Sequence, residues 1–539
     1  MLYKLKSYLE GIHTTPISWL LGVSGVLMVR FFLESLSNPT SSGFFASDAS
    51  TLINYYLFFM TTLLVFMVFL QIVVPSWKNV APQFVAISSV AVFIAPIIDW
   101  VVSGGKGLKM TYLFNSPKEM FYSFLHFFDS QISGITVGLK IEVTLGILFF
   151  GLFVYLVSRK WKKAAISFLA LYVIVFFFAS IPGIVSIIGQ AGHLIKVDPI
   201  VFIQNSISES STMTNNIHST LRYSSGVRFI EISFNFIMGK ILFLISLATL
   251  SLWFYMNYKK KFKALIRNSR TERIASYIIM VFFGIFVAYT AFFPLIKLNW
   301  NDWLSVIVLC LSFYFSGMFA ICANDMADED TDKISNKDRP LISNTLSKSD
   351  MKQMGFVFLV TAIVSGFLAG YTSFFFILTF TALYYIYSVP PTRFKLIPFF
   401  SSFLISLCML SAVIAGFFLV SPLKYVSAFP HKLILAIVII FTLLANVRDM
   451  KDIAGDRAAG IKTVPVIFGD VWGPRVVAIF AMTAFILVPV FSGLYILFIP
   501  AVPTTLASWY YINKKPYSEK PLDKIYFVFM FVSLLLFLF

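Results

Sequence analysis

Six aspartates in this chain fall into two clusters with one shared spacing. The first is Asp325-Met326-Ala327-Asp328 followed by Asp332, and the second is Asp449-Met450-Lys451-Asp452 followed by Asp456. Both read D-M-x-D-x-x-x-D and both close a long apolar segment. On a continuous helix, positions 0, 3 and 7 share one face, so each cluster is expected to present three carboxylates together. Carboxylates suit hard cations such as Mg2+, which takes one or two of them along with substrate phosphates in preference to an all-protein cage. Two such faces turned toward each other would hold one diphosphate.

The elements that must carry these clusters follow from composition. Hydrophobic residues make up 58% of the 539 and charged residues only 12%. The apolar runs recur at about the 20-residue length that crosses a bilayer. This implies an all-α, polytopic integral membrane protein in contact with lipid. The net charge of +17 would also fit a nucleic-acid partner, but the basic residues sit in short loops between spans, as cytoplasmic loops do, so no nucleic acid is expected. Arg159-Lys160-Trp161-Lys162-Lys163 and the run from Lys259 through Arg267, Arg270 and Arg273 mark two inside loops. Counting spans between them gives about fifteen, six before residue 257 and nine after 275. That count puts both acidic clusters on the cytoplasmic side and the C-terminus outside. Lys4 and Lys6 precede an apolar stretch from about Pro16 to Leu33 without a small-residue cleavage site, so this stretch is read as a retained first helix.

The basic loop near 258–274 is the boundary between two halves, 1–257 and 258–539. The second half holds both acidic repeats, 124 positions apart (449 minus 325), which suggests an internally duplicated bundle. The first half carries no Gly-rich nucleotide loop, zinc helix or nucleophile elbow, and neither does the second. Cys310, Cys322 and Cys408 lack metal-ligand spacing and read as small buried hydrophobes. His13, His126, His193, His218 and His431 show no paired metal spacing. Asp99, Glu142 and the turn Ser103-Gly104-Gly105-Lys106-Gly107 read as a polar outer surface with a flexible loop. Arg228, Glu231 and Lys240 read as pairing with one another or with lipid headgroups.

At the acidic clusters the sequence resembles a known family. Asn324-Asp325-Met326-Ala327-Asp328-Glu329-Asp330-Thr331-Asp332, followed by Asn336-Lys337-Asp338-Arg339-Pro340-Leu341, is similar to the first signature of the UbiA superfamily of intramembrane prenyltransferases. The second cluster, continuing through Gly455-Asp456-Arg457 to Gly460-Ile461-Lys462-Thr463-Val464-Pro465, resembles the second signature. Tyr387-Ser388-Val389-Pro390-Pro391-Thr392-Arg393-Phe394-Lys395 resembles the third recognisable loop. The resemblance covers about 270–539 and leaves 1–257 unassigned. It implies a nine-helix bundle in the C-terminal half. One departure is Asn344, where many members have Gly.

The resemblance implies Mg2+-dependent transfer of a polyprenyl group from an isoprenyl diphosphate to a hydrophobic or amphiphilic acceptor. Asp325, Asp328, Asp449 and Asp452 would be the first metal ligands, with Asp332 and Asp456 more distant. Asn324 would hydrogen-bond a phosphate or orient a carboxylate. Arg339, Arg393, Lys395 and Lys462 would meet charge developing on the leaving diphosphate. Tyr387 would turn its ring to the allylic cation, ahead of Tyr384 and Tyr385. Plainer roles compete: Arg393 and Lys395 as topology determinants, Glu329 and Asp330 as solvated acids, and Lys337, Arg448 and Arg457 as partners of nearby carboxylates. The acceptor stays open among quinone precursors, tetrapyrroles, glycerol-phosphate ether lipid precursors and a phosphoribosyl donor. The alternative function is a transporter or channel with the acids as a cation path.

Overall fold

The computed structural model describes residues 2–37, 49–103, 117–126, 136–190, 199–212, 226–458 and 460–538. Every regular element among the described residues is helical. This is what a chain of long apolar runs must do in lipid, where each backbone N–H and C=O has to be satisfied within its own segment. Twelve helices are long and apolar enough to cross a membrane, from Pro16–Ser35 to Val464–Ser492. Three more, Tyr371–Ser388, Phe498–Asn513 and Lys520–Leu538, lie where the sequence places spans. The chain packs as two units, one of residues 1–257 with 299–304 and one of 258–298 with 305–539.

In the first unit an aromatic and aliphatic core gathers Leu27, Phe59, Met67, Trp77, Phe150 and Phe153. Trp77 meets Phe153 edge-to-face with centroids 4.8 Å apart. Its buried charges are paired. Arg30, 1% exposed, donates to Glu142 at 3.0 Å and Glu34 at 2.9 Å, and Asp99 accepts the Gly138 N–H at 2.7 Å. Lys240 donates to Asn301 at 3.1 Å. Asp302 accepts from the Ser210 hydroxyl at 2.7 Å and the Thr212 N–H at 2.8 Å. Lys240 thus points to Asn301, a partner the sequence did not suggest. The 104–107 turn, His193 and His218 lie outside the described residues, as do the side chains of Arg228 and Glu231.

The second unit holds nine helices of fifteen or more residues among the described ones: Thr271–Ala291, Trp300–Ala327 (its first turn packing in the first unit), Lys348–Ala369, Tyr371–Ser388, Phe400–Val420, His431–Ala445, Val464–Ser492, Phe498–Asn513 and Lys520–Leu538. Ser347 and Asp350 form a reciprocal capping box that starts Lys348–Ala369. Phe400–Val420 is buried along nearly its whole length. It lies against Thr271–Ala291 closely enough that small residues are required. A Cβ on Gly284 would fall 1.9 Å from the Val413 carbonyl oxygen, and one on Gly416 would fall 2.0 Å from that of Val281. Small-residue contacts of this kind let membrane helices approach backbone to backbone. Gly416→Ala is therefore expected to lower the thermal midpoint in detergent, with a cost of about 1–3 kcal/mol or more. Unchanged melting would show that the two helices can separate without loss.

One expectation about local geometry changes. Neither acidic repeat is one helical face. Asp325 ends the Trp300–Ala327 helix, Asp328 sits at a break with φ −105° and ψ 14°, and Asp332 lies in the short helix Glu329–Ser335. The second repeat does the same: Asp449 is in the 3-10 turn Asn446–Lys451, Asp452 is at the break with φ −98° and ψ 3°, and Asp456 lies in Ile453–Ala458. Crowded carboxylates gain nothing from stacking along one face, and the break redirects the chain so that the third acid points differently from the first. Asn344 adopts φ +54°, a left-handed conformation that Gly takes freely and that Asn tolerates best among the other residues. The turn therefore survives the departure at this position.

Candidate active site

The two acidic repeats converge. Asn336, just past the first short helix, donates from one amide nitrogen to Asp332 at 3.1 Å and to Asp452 at 3.2 Å. Asp328, Asp332, Asp449, Asp452 and Asp456 line a single cavity of about 120 Å³ together with Asn324, Arg339, Lys395, Tyr384 and Tyr387. Arg270, Arg273, Arg448 and Thr463 add to its polar wall. Ile274, Ile321, Ile405 and Ile461 supply apolar lining.

The acids are held by cations. Asp328 accepts from Arg393 at 3.0 Å and also from Lys395, while Asp332 accepts from Arg339. Burial, opposed by the Asp328 carboxylate, pulls the Lys395 ammonium below its usual range. Burial, with the Arg270 guanidinium nearby, brings Arg339 down to about 10. Burial first, and the Asp452 carboxylate second, push Asp456 up to about 7. The Thr463 hydroxyl lies 3.5 Å from it. Ser388 donates to the Asn324 side-chain oxygen at 3.1 Å, and Asn324 lines the cavity.

Four residues named from the sequence stand elsewhere. Asp325, 1% exposed, does not line the cavity. One of its oxygens accepts from Asn268 at 2.8 Å, and the other from Arg270 at 2.5 Å and Arg339 at 3.2 Å. Arg393 stays outside the lining and grips Asp328 and the Ala327 carbonyl. Lys462 is exposed, outside the lining. Tyr385 also turns away and stacks on Phe319 with centroids 6.4 Å apart. Tyr384 and Tyr387 remain in the wall, their ring centroids 6.2 Å apart.

Asn336 has no assigned role in the sequence reading, which takes Arg270 and Arg273 as topology charges. Each follows a signal that was present, since Asn336 opens the stretch ending in Arg339-Pro340. Arg270 has φ +46° and Arg393 φ +39°, and strain of this kind persists where surrounding contacts over-determine it. Both arginines end on the first acidic repeat, which supplies those contacts.

The donor set is hard oxygen throughout. Among the described residues no three carboxylate, imidazole or thiol groups close on one point as a metal cage would. Five carboxylates around one cavity, with Arg and Lys between them, fit Mg2+ shared with a phosphate-bearing ligand, the mode in which protein supplies one or two oxygens and the ligand the rest. Cys322 and Cys408 are buried and Cys310 is partly so, and none lines the cavity.

Residues 277–535 match the UbiA prenyltransferase family. Digeranylgeranylglyceryl phosphate synthase of Thermococcus sibiricus is 27% identical over 186 residues, 33% of this chain and 62% of that protein. The chloroplastic chlorophyll synthase of Arabidopsis thaliana is 31% identical over 156 residues, 27% of this chain and 39% of that protein. The chain thus spans less than two thirds of each. Among solved structures, a UbiA homolog from Archaeoglobus fulgidus bound to GPP and Mg2+ aligns at 18% identity and TM-score 0.39, over 51% of this chain and 99% of that one. The apo UbiA homolog from Aeropyrum pernix aligns at 16% and TM-score 0.38, over 48% and 98%. With three ordered motifs in one helical unit and two acidic repeats meeting across a single cavity, residues 277–535 belong to the UbiA prenyltransferase family.

Proposed function

We propose that the protein transfers a prenyl group from an isoprenyl diphosphate to a lipid-soluble or interfacial acceptor, in a Mg2+-dependent reaction at a site facing the cytoplasm. The observation that carries this reading is the Asn336 bridge between Asp332 and Asp452, which draws both repeats to a cavity lined by acids and by arginine and lysine. A diphosphate needs both kinds of group. The relatives named for prenyl-type syntheses, one of an ether lipid phosphate and one of chlorophyll, set the range of acceptors. A cation path, the competing reading, has no need of Arg339 and Lys395 among the acids.

Asp328, Asp332, Asp449, Asp452 and Asp456 would hold Mg2+, which when bound neutralises charge building on the departing diphosphate. Asn324, Arg339 and Lys395 donate to the diphosphate oxygens, and Arg273 and Arg448 in the same lining add positive potential. Placing donors before the bond breaks is what makes such electrostatics effective. Arg393 acts through Asp328 by fixing its carboxylate, and Asp325 anchors Arg270 and Arg339. Tyr387 and Tyr384 present ring faces to the allylic carbon, where an aromatic face is worth roughly 0.5–2 kcal/mol to a cation. Tyr387→Leu is therefore expected to reduce turnover by about 2- to 30-fold, while Tyr387→Phe keeps the ring and most of the rate. Equal losses in the two variants would assign the residue to packing or to its hydroxyl.

The decisive assay mixes purified protein with labelled prenyl diphosphates of several lengths, Mg2+ and an acceptor panel, and identifies products by mass spectrometry. Product should form only with Mg2+ present and should stop with chelator. Absence of product with every donor, alongside Mg2+-driven ion flux in vesicles, would replace the transferase by a transporter.

A pH dependence follows from Asp456. Its carboxyl, pushed up to about 7, must lose its proton to ligate a cation, so binding releases protons below that value and none well above it. Apparent Mg2+ affinity for the diphosphate-bound protein should rise between about pH 6 and 8 and then level. The Asp456→Asn variant should show a shallower slope. Calorimetry in two buffers of different ionisation enthalpy measures it, and a flat profile in the native protein removes Asp456 from the ligand set.

A further inference from the structure

The acidic cavity stops within two helical turns of its aspartates. On four helices its deepest lining residues are Gly317 of Trp300–Ala327, Tyr384 of Tyr371–Ser388, Tyr277 of Thr271–Ala291 and Ile405 of Phe400–Val420. One turn further along these helices stand Phe313, Phe380, Val281 and Met409. None of the four lines the cavity, and all are at most 2% exposed. From Asn324 down to Gly317 the helix rises by only about 10 Å. The cavity volume of about 120 Å³ is well under the roughly 300 Å³ at which ordinary ligand sites begin. The floor is aromatic. Tyr277 and Tyr384 share a hydrogen bond between their hydroxyls, with Arg448 beside both. Phe380 packs against this pair, its ring centroid 4.8 Å from that of Tyr277 and 5.2 Å from that of Tyr384. Phe313 backs Phe380 at 5.1 Å.

Three helix seams beside this floor are tightly closed as well. Thr271–Ala291 and Phe400–Val420 meet backbone to backbone, since a Cβ on Gly416 would fall 2.0 Å from the Val281 carbonyl oxygen. The Ser316 and Thr381 hydroxyls hydrogen-bond at 3.1 Å between Trp300–Ala327 and Tyr371–Ser388. A Cβ on Gly317 would lie 3.1 Å from Ile274, which leaves no room for a chain between those two helices. An extended chain advances about 1.2 Å per bond, so an isoprene unit of four in-chain carbons takes about 5 Å. Two units therefore use up the available depth. Building on the prenyl-transfer reading, we propose that the Tyr277–Tyr384–Phe380 floor sets the length of the donor: the site takes an allylic diphosphate of one or two isoprene units and rejects longer ones. The terminal carbons of the second unit end against Tyr277, which Phe380 holds in place. Such a floor reverses an ordinary trend. In an open apolar tunnel each added unit buries more surface and tightens binding, whereas here a third unit has to displace packed side chains.

Full-length protein in nanodiscs with Mg2+ is titrated with thiolo-analogues of dimethylallyl, geranyl, farnesyl and geranylgeranyl diphosphate. Affinity should rise from dimethylallyl to geranyl and then fall to geranylgeranyl by about 10-fold or more, the discrimination a filled apolar pocket gives. Phe380→Ala takes the ring from behind the tyrosine pair and should raise the geranylgeranyl-to-geranyl affinity ratio by about 10-fold or more. Phe380→Leu should move the ratio the same way by less, and it decides the matter where the alanine variant does not fold. Phe376 stacks on Phe418 with centroids 6.0 Å apart, so Phe376→Ala removes an equal ring outside the floor and should leave the ratio as in the native protein. Comparing one ratio between variants cancels the partition of each analogue into lipid. Native affinity that keeps rising to geranylgeranyl overturns the proposal. So does a ratio unmoved by the Phe380 substitutions or moved equally by Phe376→Ala. Binding of none of the analogues overturns it together with the donor site. The graded preference with no product from any acceptor upholds the floor and tells against the prenyl-transfer reading alone, because the titration involves no acceptor.

Discussion

Asp449→Asn should reduce prenyl transfer by about 100-fold or more, the typical loss when a key electrostatic stabiliser of developing charge is removed, while the protein folds and melts no lower than before. Asp449 lines the cavity with Asp452 and Asp456, and none of its oxygens is tied to an arginine or lysine by an ion pair within the described residues. Its charge therefore serves a ligand rather than the fold. Without a cation, neighbouring carboxylates repel, so neutralising one relieves that repulsion and slightly stabilises the unliganded protein. Mg2+ with a non-hydrolysable prenyl diphosphate should raise the thermal midpoint of the native chain and leave that of the variant unchanged, since only a ligand of the folded site shifts stability. His431→Ala, exposed at a helix start, should behave as native in both measurements. Near-native transfer by Asp449→Asn would remove the second repeat from the chemistry.

Asp325→Ala should fail in the opposite way, by losing the fold. Its side chain is 1% exposed, and the partners Arg270 and Arg339 are 18% and 13% exposed. Removing the carboxylate strands the largely buried Arg270 guanidinium and the Asn268 amide, and leaves Arg339 with Asp332 alone. Breaking a buried pair by deleting one partner costs about 3–5 kcal/mol, a large part of the stability of an ordinary domain. Yield of monodisperse protein and the thermal midpoint should both drop, with or without Mg2+. Asp325→Asn, which keeps one acceptor but no charge, should fall between. An Asp325→Ala protein that melts like the native chain yet has lost transfer would place Asp325 at the metal with the other acids.

The contrast between these two aspartates marks where reading the sequence ends. Each begins a D-M-x-D-x-x-x-D repeat, and helical periodicity treats them alike. The helix breaks at Asp328 and Asp452 are invisible to that periodicity, because they depend on where the chain leaves the apolar layer and on which cations wait there. Arg270, fifty-five positions before Asp325, lies outside any window in which spacing carries information. The same limit applies to Asn336, whose bridge to Asp452 spans 116 positions.

What the sequence determined by itself rests on local physics. Apolar runs of bilayer length must become helices, since lipid offers no partner for an open backbone. Paired carboxylates ending such runs point to a hard cation and phosphate, and Asp328, Asp332, Asp449, Asp452 and Asp456 do share one cavity. Asn344 entered only through the family resemblance, as a departure from Gly, and the structure gives it a φ of +54° that Asn tolerates. The tertiary structure alone decided which charges face the ligand and which face each other. That choice is made by burial: a carboxylate sealed among guanidinium groups is fixed as a structural anchor, and one left on a cavity wall remains free to bind.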